Sequence, residues 1–203
     1  LFRSEHKAVR RAAGMFDVSH MTIIDLDGDR TRDCLRALLA NDVGKLGLPE
    51  NRVCRALYTC MLDERGGILD DLICYRLGAE SFRLVANAGT REKDLAWLTG
   101  RAAEYSVDLV ERGELAMVAV QGPRAVAKAL PLLCDGAAVE KLPSFSARHD
   151  AEWLVARTGY TGEDGIEIML PGEQASALWE GLRSRGSSRA AWAHATHCAW
   201  RPD

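Results

Sequence analysis

The 203-residue sequence has no apolar run long enough to span a bilayer, no Cys-x-x-Cys pair and no histidine at metal-ligand spacing. Those absences argue against a helical membrane span and a structural zinc. A Gly-rich phosphate loop of Walker or dinucleotide type is also missing. Charge of one sign is never in large surplus: the formal net charge is -3 and the sequence pI is near 6.0. Such a balance leaves no electrostatic footprint for nucleic acid or an anionic membrane. The opening Leu1–Arg11 is charged and helical rather than signal-like, and a start on Leu rather than Met points to a segment trimmed upstream. Six cysteines (Cys34, Cys54, Cys60, Cys74, Cys134 and Cys198) are scattered, several among apolar neighbours. There a thiol acts as a small hydrophobe, and the pattern reads as a reducing compartment with no metal.

What is present is an ordinary globular composition, 47% hydrophobic and 27% charged, enough for one large core or two smaller ones. Patterning predicts helices over Ser4–Ala13, Thr31–Leu39, Arg91–Ala103, Ala125–Leu133 and Gln174–Ser184. Strands are expected over Thr22–Leu26, Phe82–Asn87, Leu115–Val120, Trp153–Arg157 and Ile166–Leu170. Ala56–Leu62 and Ile68–Arg76 read as a hairpin closed by Glu64–Gly67, after a loop over Val43–Arg55. Strands and helices intermingle without a strict βαβ repeat, which argues α+β.

The segment Gly66–Arg76 places two carboxylates inside an apolar run. In a strand, Asp70 and Asp71 point to opposite faces, so one of them meets a costly desolvation unless it has a partner. Residue types alone favour one exposed Asp and one bonded to the Gly66-Gly67 turn. Thr158–Gly165 holds three glycines, but Glu163 and Asp164 would repel a phosphate. It reads as a tight turn needing positive φ, with Tyr160 presenting its ring to whatever lies beneath. Glu167 alternates with Ile166 and Ile168 and reads as part of a solvated strand face. His20 reads as a hydrogen-bonded core residue, and Asn87 as a turn residue with a local backbone bond. These residues by themselves name no reaction.

Six segments in order do more: Gly14–Met21, Leu39–Val43, Gly66–Ile73, Asn87–Asp94, Gln121–Pro123 and Arg157–Gly165. Together they closely resemble the aminomethyltransferase (T-protein) family of the glycine cleavage system, from Leu1 to about Arg185. The resemblance implies three α+β domains around a central hole that takes tetrahydrofolate, the first domain being discontinuous. This chain would carry the first two: residues 1–24 with 125–186, and 25–124. The implied reaction moves an aminomethyl group from the lipoyl group carried by H-protein to tetrahydrofolate, with release of ammonia. Lipoylated H-protein is the implied partner, with no nucleic acid and no membrane. The implied location is the cytoplasm of a bacterium or the mitochondrial matrix of a eukaryote. Matched motif by motif, Asp71 resembles the catalytic carboxylate beside the pterin, and Glu167 the acid that bonds the pterin ring. Tyr160 and Tyr58 resemble cavity-lining folate contacts, and Asn87 a supporting residue. The alternative is a folate-binding relative of the iron-sulfur-assembly type without transferase activity. The Asp70-Asp71 pair within a full Gly-Gly-Ile-Leu-Asp-Asp-Leu motif favours the transferase.

The sequence departs from the family at the loop Gly47–Arg55, which is longer than usual, and at its end. Where the family continues with Gly-Leu-Gly-Ala-Arg-Asp-Thr-Leu-Arg, residues 187–203 match that motif only when read two nucleotides out of frame. In that frame Trp192-Ala193 must encode Gly and His197-Cys198 must encode Leu. The expectation is a frameshifted tail with the third domain and the family's folate-binding Arg absent, and poor packing from Ala190 on.

Overall fold

A computed structural model describes residues 2–150 and 152–190. In chain order the elements are α1 (Phe2–Arg11), β1 (Gly14–Asp17), β2 (Thr22–Asp27), α2 (Thr31–Leu38), β3 (Val53–Leu62), β4 (Ile68–Arg76) and β5 (Ser81–Ala86). There follow α3 (Arg91–Glu104), β6 (Asp108–Glu111), β7 (Leu115–Gln121), α4 (Ala125–Ala129), α5 (Gly136–Glu140) and β8 (Ser146–Asp150). The last are β9 (Trp153–Ala156), β10 (Gly165–Pro171), α6 (Gly172–Ser184) and β11 (Ser188–Arg189). The mixture is α+β, as the patterning predicts. β1, β6, β8, α5 and β11 were not expected, being too short for a period to show. β3 starts at Val53 inside the expected loop, because Asn51 and Arg52 take φ of 50° and 65° and turn the chain back so that Glu50 pairs with Val53.

The chain divides into two compact units, one from Glu114 onward joined by the segment through Ser19, the other His20–Gly113. In the His20–Gly113 unit the strand order is β3-β4-β5-β2-β6, every neighbouring pair antiparallel. Ile24, Leu26, Leu72, Cys74 and Leu84 from the sheet meet Leu35 and Leu38 of α2 and Leu98 of α3 in one apolar core. The pairing Ile73↔Val85, continued two residues, brings Asn87 at the end of β5 opposite Asp71. That register is what assembles the first polar cluster.

The other unit orders its strands β11-β1-β7-β10-β9-β8. β7 and β10 are buried at every position, with α4 and α6 packed on them. Both faces of these central strands are covered, so period-2 alternation has no solvated side to mark. Two further expectations fail, at His20 and at Ala190. His20, the first residue of the His20–Gly113 unit, is exposed rather than a core residue, since it follows β1 in a turn where the Ser19 hydroxyl donates to Met117 O at 3.3 Å. Ala190 is buried at 5% exposure, because Ala190 N donates to Met15 O at 3.0 Å and continues the parallel β11–β1 pairing. The rest of the expected frameshifted tail, residues 191–203, lies outside the described residues.

Candidate functional site

The expected site residues fall into two polar clusters, one in each unit. In the β3–β4 hairpin the turn is closed by Asp63, whose Oδ1 accepts from Arg65 N at 2.8 Å and Gly67 N at 2.7 Å. Gly66 takes φ +82°, which Gly adopts without strain. The turn's acceptor is therefore Asp63 and not one of the Asp70-Asp71 pair. Asp63 sits just ahead of the glycines, as an Asx turn requires, whereas Asp70 and Asp71 are already in the ladder.

Asp70 and Asp71 do point to opposite faces. Asp70 lies on the core side with Leu72 and Cys74 and is 8% exposed. It accepts from Asn87 N at 3.2 Å, Asn87 Nδ2 at 2.9 Å and Thr90 Oγ1 at 3.0 Å. Burial pushes its carboxyl up, but these donors outweigh burial and hold it below its ordinary range. Asp71 is half-buried and accepts from Tyr58 Oη at 2.6 Å and, more weakly, from Asn87 Nδ2 at 3.4 Å. Asn87 Nδ2 also donates to Asp71 O at 3.0 Å. Asn87 is thus no locally bonded turn residue: its one amide ties both carboxylates.

Tyr58 reaches Asp71 diagonally across the β3–β4 ladder, since Cys60 pairs with Asp71 and Tyr58 with Ile73. Tyr58 is 47% exposed. The short bond to Asp71, and then burial, push the phenol up to about 12. The result is a carboxylate fixed by two donors beside an exposed aromatic ring. That set can orient a planar, donor-bearing ring and stabilise positive charge developing on it.

Glu167 and Tyr160 belong to the other unit. The residues opposite Glu167 are Ala119 on β7 and Ala156 on β9, whose small side chains leave room for a carboxyl within the sheet. Glu167 is 1% exposed and accepts from Thr158 Oγ1 at 2.5 Å. The expected solvated strand face is therefore a buried acid, for the reason given above: β10 has no solvent side. Burial pushes its carboxyl up, against the Thr158 hydroxyl. The Thr158–Gly165 turn folds over Gln121, which is 1% exposed and donates to Thr158 O at 3.1 Å while accepting from Thr161 Oγ1 at 3.0 Å. Gly159 (φ +156°) and Gly162 (φ +75°) supply the positive φ the turn was expected to need. A Cβ at Gly159 would stand 2.0 Å from Gln121 Oε1. Tyr160 is half-buried in this turn.

Asp71, Tyr58 and Asn87 are thus brought into direct contact, and Glu167 and Tyr160 are carried by a separate strand and turn. Sequence reading missed Thr90, Asp94, Thr158 and Gln121, all polar and buried or half-buried. All four lie inside or beside the motif segments, and that was the available signal. A cavity of about 470 Å³ in the same unit as Glu167 is lined by Asp17, Ser19, Trp179, Glu180 and Arg189, none of them an expected site residue.

With this geometry in hand, comparison with known proteins is informative. Residues 1–199 match the GCVT N-terminal domain, and the chain belongs to that family. It is 54% identical over 190 residues to an aminomethyltransferase of Xanthomonas oryzae pv. oryzae, covering 90% of this chain and 50% of that one. An aminomethyltransferase of Nitrosomonas eutropha is 51% identical over 185 residues, with the same shares. Among solved structures, glycine cleavage system aminomethyltransferase T from Bartonella henselae matches with a TM-score of 0.81 at 35% identity, over 94% of this chain and 50% of that chain. A heterotetrameric sarcosine oxidase from Corynebacterium sp. U-96 shares the fold, at a TM-score of 0.57 and 16% identity over 100% of this chain and 95% of that one. The chain spans about half the length of the curated relatives it matches. No helix among the described residues is long and apolar enough to cross a membrane.

Proposed function

We propose that the chain supplies folate-site residues of a glycine-cleavage aminomethyltransferase, which moves an aminomethyl carbon from the lipoyl arm of H-protein to tetrahydrofolate and releases ammonia. The observation that carries this reading is the Tyr58–Asp71–Asn87 contact in a GCVT-family chain, with Asp71 and Asn87 inside the segments Gly66–Ile73 and Asn87–Asp94. When bound, tetrahydrofolate would supply the nitrogen nucleophiles for the methylene carbon, which gives up its nitrogen as ammonia and its bond to the lipoyl sulfur as the dihydrolipoyl thiol. Asp71 acts as the fixed carboxylate. Tyr58 Oη and Asn87 Nδ2 hold its two oxygens in place, so it meets the positive charge of the transition state without first reorienting. The exposed Tyr58 ring offers an apolar face for a pterin.

Glu167 is assigned to the ring's N–H groups. Its burial favours the neutral acid, and a donor-rich ring would favour the carboxylate. Tyr160 is assigned a supporting contact from its turn. A discontinuous first domain drawn from both ends of the chain goes with this reading, and the two compact units support it. The cytoplasm or the mitochondrial matrix is the matching location.

The test is tetrahydrofolate binding by anaerobic calorimetry, comparing the chain with Asp71→Ala and Glu167→Ala. Saturable binding that Glu167→Ala weakens is the expected result. No binding by a demonstrably folded chain would remove folate recognition from these residues.

A further inference from the structure

The Asn87–Asp94 segment ends on a buried carboxylate. α3 buries Asp94, Leu98 and Ala102, the i, i+4, i+8 spacing of a single helix face. Asp94 is 0% exposed, and neither of its oxygens has a hydrogen-bond partner in good geometry. Its neighbour is another carboxyl, Asp70. Two carboxylates have only acceptors between them, but a carboxylic acid has a donor. One proton on Asp94 turns this pair of acceptors into a donor and an acceptor.

We infer that Asp94 is a positioning residue: it carries the proton of a buried Asp70–Asp94 acid pair, and this pair aims the Asn87 amide at Asp71. With Asp94 neutral, Asp70 is the sole anion of the pair and takes Asn87 N, Asn87 Nδ2 and Thr90 Oγ1. Asn87 Nδ2 has two N–H groups, one committed to Asp70 Oδ1 and the other turned to Asp71. The direction of the second follows from the anchoring of the first. Loss of the proton would set two anions together in a buried place, and Asp70 would have to turn from Asp94 and drag the amide with it.

Charged and titratable groups around the pair include Lys93 on α3, Asp71 on β4 and Tyr58 on β3, beyond Asp71. Lys93 Nζ is itself engaged by Leu69 O at 2.6 Å. Burial, and then Asp70, raise the Asp94 carboxyl, while Thr90 and Lys93 oppose the rise; the balance leaves it at about 6. Asp70 moves the opposite way. Two adjacent carboxyls displaced in opposite directions are what one unequally shared proton produces.

The inference rests on the reading above in one respect, that Asp71 is the working carboxylate. The experiment is NMR of the full chain with labelled Asp carboxyls and Asn side-chain amides, over about pH 4 to 8, for the native sequence and Asp94→Asn. The expected result is one Asp carboxyl with its midpoint near 6, absent in Asp94→Asn. The Asn87 amide resonances should move with the same midpoint in the native chain and stay flat in Asp94→Asn, which mimics the neutral acid. A merely structural Asp94 would not couple its titration to the Asn87 amide. If no Asp carboxyl titrates above about 5, or if the Asn87 amide ignores the titration, the inference is overturned. If both titrations appear but tetrahydrofolate does not bind, the acid pair stands and the folate reading falls.

Discussion

Replacing Glu167 by Gln separates what this buried acid does for the fold from what it does for a ligand. Glu167 is 1% exposed between Ala119 and Ala156 and accepts from the Thr158 hydroxyl at 2.5 Å. Gln has the same volume and retains an acceptor for that hydroxyl, while it removes the desolvation cost of the ionised form. Glu167→Gln should therefore match or exceed the native stability at pH 7, by about 1 kcal/mol. Glu167→Ala leaves the buried Thr158 hydroxyl without its acceptor and opens space in the sheet, and should cost about 2–3 kcal/mol. The pH dependence has a definite sign. A carboxyl held above its ordinary 4.5 in the folded chain contributes stability that is fully present below 4.5 and is lost as pH rises through the raised value. The native chain should thus lose ground to Glu167→Gln as pH increases, and gain on it as pH falls. For a bound pterin the comparison reverses, because a charge-assisted bond becomes a neutral one: affinity in Glu167→Gln should drop about 10-fold or more. Urea unfolding across pH and anaerobic calorimetry read the two effects. If Glu167→Gln were destabilised as much as Glu167→Ala and its deficit grew with pH, Glu167 would be an ionised structural group and the reasoning would fail.

Three further outcomes are expected. Tyr58→Phe removes the 2.6 Å donor to Asp71 from a half-exposed site; stability should change by about 1 kcal/mol or less in urea unfolding, and under the proposed function tetrahydrofolate transfer should slow by about 10-fold, read by initial rates with lipoylated H-protein. Asp25 is gripped by Arg83 at 2.6 and 2.8 Å and by Arg112, and Arg83 is 4% exposed along its side chain. Burial raises the Asp25 carboxyl, but the two guanidinium groups outweigh it and hold it below its ordinary 3.8. That stability is present above 3.8 and is lost as pH falls through the lower folded value. Asp25→Asn should therefore cost about 3 kcal/mol at pH 7 in urea unfolding, with the deficit shrinking in acid. Gly159→Ala would drive a Cβ to 2.0 Å from Gln121 Oε1 at φ +156°, and thermal unfolding should show a loss of about 2 kcal/mol or more.

The secondary structure was legible wherever an element was long and periodic. The Thr31–Leu38 and Gly172–Ser184 helices and the β3–β4 hairpin stand within a few residues of their expected bounds. Short strands such as Asp108–Glu111 gave no period to read. Alternation misled at Glu167, because it assumes that a strand has one wet face, and β10 has none. The opposite facing of Asp70 and Asp71 was written in their adjacency, since side chains in a strand alternate whatever surrounds them.

The sequence by itself determined the family, through six motifs in order, and the local chemistry available at each: carboxylates in a strand, glycines where the Thr158–Gly165 turn needs positive φ. Only the tertiary structure decided which groups meet. Asp71 meets Tyr58 because of the β3–β4 register, and Asn87 meets both carboxylates because β5 ends opposite them. Asp94 lies against Asp70 because α3 packs that face onto the sheet. Residue types state what a side chain can donate or accept, but partners far apart in the chain are chosen by packing, and packing also decides whether water is left to compete for them.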